Sequence, residues 1–258
     1  GATYPQVCTN TQPIDLAWST MIYGNVCATG QTSRGPTGLN IQGGIGGQGL
    51  IPGCTAPEVE MPAFNKQAQL DRVTTTSASN NNTYVCNSWP FNRTWPDGLR
   101  LNGNVSIGSV CAINLQGDIY INGDLNLSGA SVITVSNSVG TRRPTIMVDG
   151  RITIDGSTVI MSNALGTGVE FVSNASNAAC GSNCTSLSGN ALKATQSYET
   201  IRVGGAVSVP GVVFNARWGR VTINGSGLIG SAVGQSVHLS GAGSITFGTR
   251  LSSGVSTW

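Results

Sequence analysis

From Leu99 onward one unit keeps returning: apolar residues alternating with polar ones, then Asn, Asp or Ser followed by Gly, then a second alternating pair. It is read in Leu99-Arg-Leu-Asn-Gly-Asn-Val-Ser-Ile, in Ile119-Tyr-Ile-Asn-Gly-Asp-Leu-Asn-Leu and in Ile146-Met-Val-Asp-Gly-Arg-Ile-Thr-Ile. It returns in Val221-Thr-Ile-Asn-Gly-Ser-Gly-Leu-Ile and in Val237-His-Leu-Ser-Gly-Ala-Gly-Ser-Ile. Alternation with period two is the mark of a strand with one buried face. Asn-Gly between such strands suits a type I′ hairpin, yet successive units are alike rather than complementary. They recur 20 residues apart from Asn102 to Asn122, 27 from Asn122 to Asp149 and 16 from Asn224 to Ser240. Repetition of that kind is the signature of a solenoid, with Gly at positive-φ corners. The expected fold is therefore all-β, a parallel β-helix over residues 98–258.

Composition agrees once it is set against this repeat. Only 9% of the residues are charged, where a soluble domain ordinarily carries about 25%. Like charges at equivalent positions of adjacent coils would stack about 4.8 Å apart, whereas Ser, Thr and Asn stack without that cost. The 36 glycines follow no Gly-X-Y period, which excludes collagen, and a 39% hydrophobic content argues against disorder. The net charge of +2, with Lys66 and Lys193 the only lysines, excludes a general polyanion binder. No apolar run approaches the roughly 20 residues of a membrane span. A chain opening at Gly1 is expected to be a mature or truncated form whose export signal or anchor has been removed.

Residues 1–97 read differently, as a Pro- and Cys-rich region packing on or capping the solenoid. Helical turns are expected over 12–22, from Ile14, Ala17, Trp18 and Met21 on one face, and over 61–73, from Phe64, Ala68, Leu70 and Val73. Glycine punctuation over 35–53 predicts a loop or irregular strand pair, and 74–83 is a polar run. The cysteines are Cys8, Cys27, Cys54, Cys86, Cys111, Cys180 and Cys184. Their spacing lacks paired zinc knuckles and the chain has one histidine, so all seven are disulfide candidates and no metal site is expected. Disulfides point to an oxidising, extracytoplasmic location, and the odd number leaves one thiol over.

The motifs that carry chemistry are few. Asp118/Asp124 and Asp149/Asp155 are pairs six apart that flank the same kind of turn. Clustered carboxylates would suit a β-helix hydrolase or lyase, while Asp beside Gly is also an ordinary turn residue. No acid-dense loop suggests calcium. His238 alternates with apolar neighbours and faces solvent, with no nucleophile or supporting acid near it. The Gly-rich string from Gly43 to Gly49 lacks the strand before and helix after that dinucleotide binding requires, and no regular Thr-x-Thr ladder suggests ice binding. Arg142 and Arg143 before Pro144, and Arg217 and Arg220 around Trp218, are the groupings able to grip a sugar or a nucleic acid.

The coils beginning at Ile119, Ile146, Val212 and Val237, taken in that order, resemble the β-solenoid region of PilX-like pilus-assembly and minor-pilin-type surface proteins. The resemblance is strongest to those of candidate-phyla bacteria such as Saccharibacteria. Bactofilin-like polymer-forming solenoids share the Asn-Gly alternation. Tyr4-Pro5 followed by a short helix ending near Trp18 fits the same group, although the hydrophobic anchoring helix of membrane-bound members is not in this sequence. The resemblance implies an exported cell-surface or pilus-associated protein with a role in adhesion or assembly, without enzymatic activity or cofactor. Its implied partners are other pilus or surface-protein subunits and host-cell glycan or DNA.

Overall fold

A computed structural model gives the fold of residues 66–78, 83–86, 91–108, 110–178, 189–226, 228–241 and 244–245, with seven short strands before residue 47. The alternating segments form a parallel β-helix, each coil laying down three strands joined at three corners. The first face stacks Thr75–Ala78, Leu99–Asn102, Ile119–Asn122, Thr145–Val148, the start of Glu170–Ser176, then 213–216 and 231–234. The second stacks Val105–Ile107, Leu125–Leu127, Ile152–Ile154, 201–203, 221–223 and 237–239. The third stacks Asn92–Trp95, Ala112–Leu115, Val132–Val135, Val159–Met161, 208–209, 228–229 and Ser244–Ile245. The ladder thus begins upstream of residue 98, with Thr75–Ala78 on the first face and Asn92–Trp95 on the third.

Register decides between hairpin and corner. Asn102 pairs in parallel with Asn122, and Leu99 and Leu101 pair with Ile119 and Ile121. Asn-Gly therefore turns the chain from the first face to the second of one coil. The inward residues of all three faces form one core that includes Leu101, Ile121, Val148, Phe171 and Phe214, all essentially inaccessible. The Phe171 and Phe214 rings stack at 5.7 Å between centroids.

The repeated Gly turns out to serve two different corners. Gly103, Gly123 and Gly150 follow first-face strands, whereas Gly225 and Gly241 follow second-face strands and join Gly129, Gly156 and Gly205 there. At this second corner φ runs from 69° to 99° in all five. A Cβ at Gly156 would sit 2.6 Å from the Gly129 carbonyl oxygen, and one at Gly205 2.5 Å from that of Gly156. Both the conformation and the space admit only glycine.

The ends and one face are covered. Residues 83–86 close the end near Trp95: Val85 joins the core, Arg93 Nε donates to its carbonyl at 2.9 Å and Trp95 Nε1 to that of Tyr84 at 2.8 Å. A Cys86–Cys111 disulfide fastens this cap to the coils. At the opposite end the N-terminal strands extend the ladder, Asp15–Leu16 pairing with 238–239 and Met21–Ile22 with Ser244–Ile245. Strands therefore replace the helical turns expected over 12–22, because edge backbone groups of the last coil offer a ladder to pair with. Of the helix expected over 61–73, Lys66–Arg72 is observed as α1, while 61–65, with Phe64, lie outside the described residues. Leu70 and Val73 pack on the outward-facing Tyr120 and Met147 of the first face, which is why Thr145–Val148 is buried on both sides. A second helix, α2 (Gly189–Ser197), lies in the insertion between first and second faces after Ser176.

Candidate functional site

The first corner carries most of the chemistry. Its successive coils present Asp124, then Asp149 and Arg151, then Asn174 and Tyr198 on either side of the α2 insertion, then Arg217, Trp218 and Arg220. The corner accumulates side chains because its residues point away from both sheets, and the insertion delivers Tyr198 to it immediately before Glu199–Val203 re-enters the ladder. An open cleft of about 490 Å³ is lined there by Asp124, Asp149, Arg151, Asn174, Ser176 and Tyr198 among others.

Its walls are held by internal bonds. Asp149 accepts from the Lys66 ammonium at 2.6 Å, from the Tyr120 hydroxyl and from Asn174 Nδ2 at 3.4 Å. Burial, and then that bond to Asp149, push the Tyr120 phenol well above its ordinary value. Asp124 Oδ1 accepts the Arg151 backbone N–H at 2.8 Å. The Arg151 guanidinium lies 4.7 Å from the Tyr198 ring centroid, with Nε 3.3 Å from the hydroxyl. One coil further, the Arg217 guanidinium lies 5.2 Å from the Trp218 ring centroid, and burial lowers its pKa. The Arg220 backbone N–H donates to the Tyr198 carbonyl at 2.8 Å, and its Nε to Thr222 Oγ1 at 3.2 Å. The chain matches no family model, no curated protein and no solved structure with which it was compared.

The residues singled out by sequence are thereby sorted. Asp124 and Asp149 share the cleft, but the two pairs six apart do not flank one kind of turn. Asp118 sits at the third corner and Asp155 at the second, each bracketing a strand rather than a turn. Asp118 is buried between Arg142 at 2.8 Å and Arg72 at 3.6 Å, and accepts the Thr145 N–H at 2.9 Å. Asp155 accepts the N–H of its own neighbour Gly156 at 2.8 Å. Arg142 is engaged by Asp118 and, at 3.3 Å, by Asp97, while Arg143 is exposed with its charge near Glu170. His238 stands half-exposed in the outward column of the second face, beside Thr222. Among the described residues no three His, Cys, Asp or Glu side chains converge as a metal site would require, and no helix is long and apolar enough to cross a membrane. The side chains of Cys8, Cys27, Cys54, Cys180 and Cys184 lie outside the described ones. Tyr198 and Asn174 escaped sequence reading, since nothing in a polar stretch from 174 to 198 marks which residues return to the corner.

Proposed function

We propose that this chain is a recognition ectodomain of an exported surface or pilus-associated protein, acting in adhesion or assembly and not by catalysis. The observation that carries this reading is the line of half-exposed Tyr198, Arg217, Trp218 and Arg220 beside the cleft, on a scaffold otherwise poor in charge. Aromatic and Arg side chains are the groups that recognition surfaces concentrate. Rigid placement on a solenoid supplies binding with little ordering cost. The Cys86–Cys111 disulfide supports an oxidising location. Beads coated with the protein should adhere to host cells, and Trp218→Ala with Tyr198→Ala should abolish most of that adhesion; undiminished adhesion by the double variant would sink the reading.

A second reading, a carbohydrate-active enzyme, draws support from the convergence of Asp124 and Asp149 on one cleft. Against it, Asp149 already accepts from three donors, of the about four acceptor positions a carboxylate has. Release of reducing ends from a polysaccharide, lost in Asp124→Asn, would establish this reading instead.

A further inference from the structure

Resting on the recognition reading, we propose that the first corner is a track for an extended, neutral hexopyranose chain lying parallel to the solenoid axis. Three features of the corner specify that ligand. The first is its pitch: equivalent positions advance by about 4.8 Å per coil, close to the advance of one pyranose along an equatorially linked chain. Sugar after sugar therefore meets coil after coil in the same relation.

The second is the pair of rings. Tyr198 and Trp218 belong to successive coils, tied by the hydrogen bond from the Arg220 N–H to the Tyr198 carbonyl. Each is half-exposed and flanked by a guanidinium, Arg151 at 4.7 Å and Arg217 at 5.2 Å. A ring held in this way offers an apolar platform to the C–H face of a sugar with little rotamer entropy left to lose.

The third is the polar wall of the cleft. Asp124 and Asn174 supply acceptors, and Asn174 and Arg151 donors, on either side of a space open to solvent. Such convergent groups bind neighbouring hydroxyls. The carboxylates of Asp124 and Asp149 are balanced there by Arg151 and by the Lys66 ammonium on Asp149. The wall therefore offers hydrogen bonds without a net charge to hold an acidic sugar or a nucleic-acid backbone, which suits a neutral chain over a polyanion. From Asp124 to Trp218 the track covers three coil steps, about 14 Å, or about four sugar units.

The test is calorimetric titration of the whole chain with cellohexaose, chitohexaose, glucose and hexagalacturonate. A neutral hexasaccharide should bind, glucose at least about a hundredfold more weakly because it fills one position of several, and hexagalacturonate more weakly than either neutral chain. Trp218→Ala and Tyr198→Ala should each weaken hexasaccharide binding about tenfold, with thermal unfolding unchanged, and Trp218→Phe should restore most of it. Equal affinity for glucose, tighter binding of hexagalacturonate, or indifference to Trp218→Ala overturns the track. Failure of both neutral chains to bind, while coated beads still adhere to cells, overturns the track and leaves the recognition reading standing.

Discussion

At the residue scale the second corner is the most demanding part of the chain. Gly156 combines φ of 74° with a neighbouring carbonyl 2.6 Å from where a Cβ would lie. Gly166, with φ of 78°, has nothing within 4 Å of the same position. Gly156→Ala should therefore cost about 2–4 kcal/mol, conformational strain plus overpacking, and Gly166→Ala only about 1 kcal/mol; equal denaturation midpoints for the two variants would remove the steric part of the argument. A second prediction concerns Glu170, whose pKa burial raises above its ordinary 4.5, with the hydrogen bond from Asn215 and the charge of Arg143 opposing. A carboxyl raised by folding favours the native state fully below the unfolded value and loses that contribution as pH rises through the folded one. Glu170→Gln should therefore be more stable than the parent protein at pH 7 and no more stable below pH 4.5, a difference read from denaturant unfolding at the two pH values.

Among the elements, what the sequence made legible is what repeats. Leu99-Arg-Leu-Asn-Gly and its relatives announce strands and corners because burial alternates with period two and positive φ selects Gly. The phase was less visible: Asn122-Gly123 and Asn224-Gly225 look alike, yet one follows a first-face strand and the other a second-face strand. Local sequence reports that the chain turns, not which corner of the coil it has reached. The burial of Met147 on the outward face depends on α1, some 75 residues upstream, and no local pattern encodes a distant cover. Ile14, Ala17, Trp18 and Met21 have helical spacing, but Asp15–Leu16 and Met21–Ile22 within that stretch pair with the last coils, tertiary context prevailing over local spacing as it commonly does. The cleft was half legible, Asp124 and Asp149 through the corner motif, Tyr198 only through the fold. Strand register also sets Cys8 opposite Cys27 in Gln6–Thr9 and Asn25–Ala28. Parallel neighbours about 4.8 Å apart fall within disulfide reach. Peptide mapping under non-reducing conditions should recover Cys8 linked to Cys27 alongside Cys86–Cys111; Cys8 linked elsewhere would refute the register.

For the whole molecule the governing fact is that a stack of coils has two open ends. One is sealed by 83–86, whereas the other is extended by strands from the far end of the sequence. Removing residues 1–46 should bare the edges of 237–239 and Ser244–Ile245 and cause concentration-dependent association. Light scattering behind a sizing column would show it, and a truncated protein that stays monomeric at every concentration would mean that those strands are dispensable.

The same arrangement brings Met21–Ile22 and Ser244–Ile245 to one pole and places the Cys86–Cys111 cap at the other. A support that grips the chain at Met21–Ile22 or at Ser244–Ile245 holds the same pole. In both cases the Cys86–Cys111 pole becomes the tip, and the first corner runs along the flank like the edge of a mast.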